Sequence, residues 1–134
     1  MEDDGFVDPP ATPDDSSTAL DSTDRLERST LGSLMLVGAV ALPKLTRSLK
    51  AADFTREAHR LIFDAIVAVS RETDPDLTLV IADLDSSGQL ERAGGAAYVA
   101  GLLDDLPAVD NVIFYAKRIR ERSILRKASK RRPA

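Results

Sequence analysis

The chain has 134 residues, a length for one domain, with 43% hydrophobic and 30% charged residues, the balance of a globular protein. It has no cysteine and a single histidine, which removes disulfides, thiolate chemistry and a structural zinc site. No apolar run is long enough to cross a bilayer, and the acidic Met1–Asp8 stretch lacks the basic-then-apolar plan of a secretory signal, so the expected compartment is the cytoplasm with no membrane partner.

The net charge of −4 conceals an asymmetry. Residues 1–30 hold nine acids and two bases, residues 31–115 twelve acids and seven bases, and residues 116–134 nine bases and one acid. Opposite charge at the two ends points to segments with different partners.

Residues 1–22 carry Pro9, Pro10 and Pro13 among Asp, Ser and Thr. They hold too few apolar side chains to offset the entropy of ordering, so a disordered acidic arm is expected there. A helical domain is expected over 23–127 and a basic tail over 128–134. Asp24 and Glu27 stand in capping-box spacing and start a helix. Leu31, Leu34, Met35 and Gly38 form one face of it. Leu42-Pro43 opens a short second helix with Pro43 in its first turn, burying Leu45 and Leu49. Thr55 caps a third helix with the stripe Ala58, Leu61, Ile62, Ala65, Ile66 and Val69, which Asp74-Pro75-Asp76 ends. A fourth runs from about Thr78 to Ser86, with Leu79, Val80 and Leu84 inward and Gly88 in a left-handed cap. Gly94-Gly95 opens a fifth through Leu103. After Leu106-Pro107 a sixth begins near Ala108 and continues past Arg122, making an antiparallel hairpin with the fifth. The fold class is all-α with about six helices.

Chemical motifs are absent. No G-x-x-x-x-G-K-[ST] phosphate loop and no G-x-S-x-G elbow is present, and no catalytic residue, cofactor or metal is assigned. Gly94-Gly95 reads as a tight turn, His59 as a helix-surface or capping side chain, and Asp83/Asp85 and Asp104-Asp105 as solvated acids. The basic segment has two readings. Lys117, Arg118, Arg122, Arg126 and Lys127 can meet phosphates without sequence preference, or they form a solvated or protein-contacting face. No aromatic follows Tyr115, so base stacking is not indicated.

The order of short motifs is informative as a set. Leu31-Gly32 follows Glu27. Asp53-Phe54 precedes the run His59-Arg60-Leu61-Ile62-Phe63-Asp64-Ala65-Ile66. Then come Asp76-Leu77-Thr78-Leu79-Val80, Gly88-Gln89-Leu90, Gly94-Gly95-Ala96-Ala97-Tyr98, Pro107, Asn111, Tyr115-Ala116 and Ile119-Arg120-Glu121. Over about Asp24 to Arg126 this series resembles the N-terminal domain of the bacterial replicative DNA helicase, the DnaB family. The resemblance implies a helical collar domain that pairs through its last helical hairpin, here Gly95–Leu103 with Ala108–Arg126, and that contributes to the contact with primase. It also implies a RecA-like ATPase following the collar, whose ATP hydrolysis and strand separation do not carry over to these residues.

The function expected is a non-enzymatic interaction module of DNA replication. It would self-associate as a dimer or trimer of dimers and contact a replicative helicase or primase, with Tyr98, Leu102, Leu103, Val109, Val112 and Ile119 supplying the interface. Two alternatives stand beside it: the N-terminal piece of a split or truncated helicase, and a small DNA-binding protein acting through its basic end. The terminal Lys-Arg-Arg-Pro-Ala reads as a solvated end and favours a complete short chain.

Overall fold

The computed structural model describes residues 15–104, 106 and 109–131, and all regular structure among them is helical. In chain order these are α1 (Asp15–Leu45), a 3-10 turn (Ala51–Asp53), α2 (Glu57–Ser70), α3 (Leu77–Ser86), α4 (Gly95–Gly101), a second 3-10 turn (Val109–Asn111) and α5 (Val112–Arg131). α1 is two helices joined at a kink, where Val37 leaves helical geometry (φ −126°, ψ 20°). Counted so, the described residues form six helices. The expectations for Met1–Asp14, Asp105, Pro107 and Ala108, and for the last three residues, fall outside the described part.

α1 begins at Asp15, ahead of the expected start at Asp24. Its second half also differs from expectation. Pro43 lies inside a helix that ends at Leu45, and no helix runs from 43 to 49. The kink precedes Gly38, where an added Cβ would stand 2.8 Å from the Pro75 ring, so this glycine lets the loop before α3 close on α1. Past Leu45 the chain turns: the N–H groups of Ser48 and Leu49 both donate to the Leu45 carbonyl. Leu49 is buried as expected, but from this turn instead of a helix.

Thr55 does not cap α2. Arg56 occupies that position without a side-chain bond, and the Thr55 N–H donates to Glu27 Oε2 at 2.8 Å. α3 matches more closely, with Asp76 accepting from the Leu79 N–H at 2.8 Å as its N-cap. Leu79 itself is exposed, while Val80 and Leu84 are fully buried. Gly88 (φ 73°) follows α3 in the left-handed conformation expected, and Gly94 and Gly95 (φ 104° and 87°) turn the chain into α4.

α1 is the spine of the packing. α5 lies along it, α2 packs against it, α3 rests on α2 and α4 on α3. α5 runs antiparallel to α1, since Arg122 in mid-α5 bonds Ser22 and Thr23 near the start of α1. Leu102 and Leu106, ahead of α5, close on Gly32 further along α1. A Cβ on Gly32 would sit 2.0 Å from the Leu102 carbonyl oxygen, so only glycine allows this crossing. The last two helices therefore follow one another, but α5 takes its long packing surface from α1. Leu31, Leu34, Leu49, Phe54, Ile62, Ile66, Val80, Leu84, Val99 and Ile119 form the dry centre, with the Phe54 and Phe63 rings 5.1 Å apart. No helix among the described residues is long and apolar enough to cross a membrane.

Candidate functional site

Two polar constructions and one apolar face stand out from this core. The first joins three helices. Glu27 on α1 is fully buried and accepts on both oxygens: from the Thr55 N–H and, at 2.7 Å, from His59 Nδ1. His59 is fully buried too, and its Nε2 lies 2.6 Å from the Tyr98 hydroxyl on α4. Burial and the charge of Asp24 push the Tyr98 phenol above its ordinary range. The hydroxyl thus keeps its proton, and the two ring nitrogens of His59 join Glu27 to Tyr98 in one buried chain. Arg56 donates to the Tyr98 oxygen from 3.4 Å. It also lies 3.2 Å from Asp24 Oδ1, off the hydrogen-bond axis, so that contact is one of charge alone.

His59 is therefore not the surface or capping residue the sequence led us to expect. It shares a helical face with Ile62, Phe63 and Ile66, all buried, and that spacing was the available signal. Beside Tyr98 a cleft of about 660 Å³ opens between α1 and α4, with Arg25 and Arg28 on one wall and Asp104 on the other. An acid–His–Tyr chain can relay polarity, but Tyr98 Oη is spent on His59. The arrangement pins α4 to α1 and α2.

The second construction centres on Asp53, which is 1% exposed. Its Oδ2 accepts from the Lys50 N–H at 2.8 Å. Oδ1 accepts from Ser123 at 2.7 Å, Arg120 at 3.0 Å and Lys127 at 3.3 Å, and Arg126 donates to its backbone carbonyl. Burial alone would raise the carboxyl. The bonds from Ser123, Lys50 and Lys127 and the Arg120 charge outweigh it and hold Asp53 below the usual carboxylate range. One acid thereby clasps the C-terminal half of α5 to the body.

These bonds reassign part of the expected phosphate-binding set. Arg126 and Lys127 reach Asp53, and Arg122 reaches Ser22 and Thr23. Lys117 lies over the Phe114 ring at 5.6 Å and Arg118 pairs with Glu121 at 3.5 Å, both on the solvent side. Of the expected interface residues, Leu102, Val112 and Ile119 are buried in the chain's own core. Leu103, Val109 and Tyr98 are half-buried. The apolar side chains that do face solvent on α5 are Phe114 (63% exposed), Ile124 (50%) and Leu125 (69%). Sequence reasoning missed them because the core stripe and the outer stripe share one helix. On α1, Leu36 and Val40 are likewise exposed beside the kink.

The family described as DnaB-like helicase N terminal domain matches residues 20–121. The chain belongs to this family. The replicative DNA helicase DnaB of Geobacillus stearothermophilus is 39% identical over 102 residues, covering 75% of this chain and 22% of the relative. That of Mycobacterium leprae (strain TN) is 36% identical, covering 75% and 17%. The crystal structure of the N-terminal domain of DnaB helicase from Mycobacterium tuberculosis superposes with a TM-score of 0.74 at 34% identity, covering 79% of this chain and 76% of that one. The chain thus spans about a fifth of the length of these curated relatives. The match to the DnaB-like domain takes in Glu27, Asp53, His59 and Tyr98 and ends at Glu121. Of the Asp53 clasp, Ser123, Arg126 and Lys127 therefore lie beyond it.

Proposed function

We propose that this DnaB-like domain is a non-enzymatic self-association and docking module of a replicative helicase assembly, contacting the helicase or a primase. ATP hydrolysis and unwinding would belong to a motor that these residues do not include. The reading applies alike to a domain standing alone and to one that leads a longer helicase chain. Family membership supports the setting, and the outer face of α5 carries the mechanism.

Phe114, Arg118, Glu121, Leu125 and Ala128 follow one another at intervals of four, three, four and three, the spacing of a coiled-coil seam. Arg118 and Glu121 are 69% and 62% exposed, and Phe114 and Leu125 flank them on the stripe. A second α5 laid antiparallel across a two-fold axis sets Phe114 against the partner's Leu125, and Arg118 against the partner's Glu121. Like therefore meets its complement twice, as an isologous interface requires. This face replaces Leu102, Val112 and Ile119 as the self-association surface, since those side chains are used internally.

The chain has no cysteine, which makes the register directly testable. Phe114→Cys and Leu125→Cys variants, each alone, should give little disulfide under mild oxidation. Mixed, they should cross-link as a heterodimer. Equal cross-linking of each variant with itself, or none in the mixture, would refute the antiparallel pairing.

A further inference from the structure

We propose that the acidic sequence ahead of α1, Met1–Asp14, is the intramolecular occupant of the basic C-terminal half of α5. Three observations carry this, and none depends on the self-association reading. The first is place. α1 begins at Asp15, and α5 runs antiparallel to it with Arg122 bonded to Ser22 and Thr23. The seven residues from Ser22 back to Asp15 climb about 10 Å at the helical rise. That brings the chain out beside the turns of α5 that follow Arg126 and Lys127.

The second is charge. Met1–Asp14 holds Glu2, Asp3, Asp4, Asp8 and Asp14 and no base, whereas residues 122–132 hold Arg122, Arg126, Lys127, Lys130, Arg131 and Arg132 and no acid. The clasp leaves donors over on the side chains it uses. Lys127 reaches Asp53 at 3.3 Å with its side chain 45% exposed, so its ammonium has further N–H groups to give, and Arg126 spends one nitrogen on the Asp53 carbonyl.

The third is reach. Fourteen residues extend to about 46–50 Å, several times the length of α5 between Arg122 and Arg131, about 14 Å. Exposed ion pairs are individually weak. A tether this short, however, holds the acids near the cations at an effective concentration in the ~millimolar range. The arm then competes, on its own molecule, with any polyanion that approaches the same cations.

A nitroxide on a single cysteine, Gly5→Cys in the full chain, tests the docking by amide line broadening. At low salt, residues 122–131 should broaden selectively. The effect should vanish at about 1 M salt, where the screening length falls to about 3 Å, and in the triple variant Asp3→Asn, Asp4→Asn, Asp8→Asn. Labelled chain mixed with isotope-enriched unlabelled chain separates a chain's own arm from that of a second copy. Absent broadening, broadening elsewhere, or broadening as strong in the mixed sample as in the labelled chain alone overturns the assignment. As a consequence, a 20-nucleotide single strand should bind chain lacking Met1–Asp14 about tenfold more tightly than full chain at equal salt. Equal affinity, or no binding to either form, overturns the masking role.

Discussion

Removing the carboxylate of Glu27 leaves two donors, the Thr55 N–H and His59 Nδ1–H, facing a void in a site closed to water. Breaking a buried, hydrogen-bonded partnership of this kind costs about 3–5 kcal/mol. Deleting only the Tyr98 hydroxyl removes its bond to His59 and the longer one from Arg56 at the half-buried end, and costs about 1–2 kcal/mol. Urea unfolding should therefore order the variants Glu27→Ala well below Tyr98→Phe. A Glu27→Ala loss no larger than that of Tyr98→Phe would mean that the three groups do not act as a buried unit. The sequence showed Glu27 as a capping residue and His59 as a surface one. Their burial follows from a contact 32 positions apart that no local spacing announces. Only the face shared by His59, Ile62, Phe63 and Ile66 hinted at it.

At the scale of elements, α5 is joined to the body by an apolar half and a polar half. Val112, Ala116 and Ile119 enter the core, while beyond them Arg120, Ser123, Arg126 and Lys127 converge on Asp53. The Asp53 carboxyl is held below its ordinary value. Its contribution is therefore complete above the unfolded carboxylate pKa of about 3.9 and is lost as pH falls through the lower folded value. Asp64 has the opposite shift, upward through burial, and so gains relative stability as pH falls. Stability measured from pH 6 down to pH 2 should drop for the parent chain. It should drop less steeply for Asp53→Asn, which is already weaker at pH 6, and more steeply for Asp64→Asn. An unchanged slope in Asp53→Asn would remove the clasp as the source. α2, α3, α4 and α5 were legible, because apolar stripes and turn residues are local, whereas the helix expected to begin at Leu42-Pro43 did not form as such. The clasp was not legible, since Asp53 read as part of a turn and α5 as a uniformly basic helix. Which cations are spent depends on where the turn Ala51–Asp53 meets α5. The course of α1 beyond its kink was missed for a related reason: Pro43 weakens a helix locally, yet the second half of α1 runs past it to Leu45.

Among the described residues, the exposed large apolar side chains are Leu36 and Val40 on α1, Leu79 on α3, and Phe114, Ile124 and Leu125 on α5. The rest of the large apolar side chains are mostly enclosed. If the α5 stripe is covered by a second copy, folding and association are linked, and stability depends on concentration by mass action. Each protomer then gains half of RT ln 100 per hundredfold rise in concentration, about 1.4 kcal/mol. For a domain of this size that corresponds to about 4–8 °C in Tm. Calorimetry at ~10 μM and ~1 mM should show that rise in the parent chain, and a flat response in Leu125→Glu, which buries a carboxylate against the partner's Phe114. Leu36→Glu should keep the dependence, because that patch is not on the seam. A parent chain whose Tm is the same at both concentrations does not associate through folded protomers, and the pairing through the outer face of α5 is then refuted.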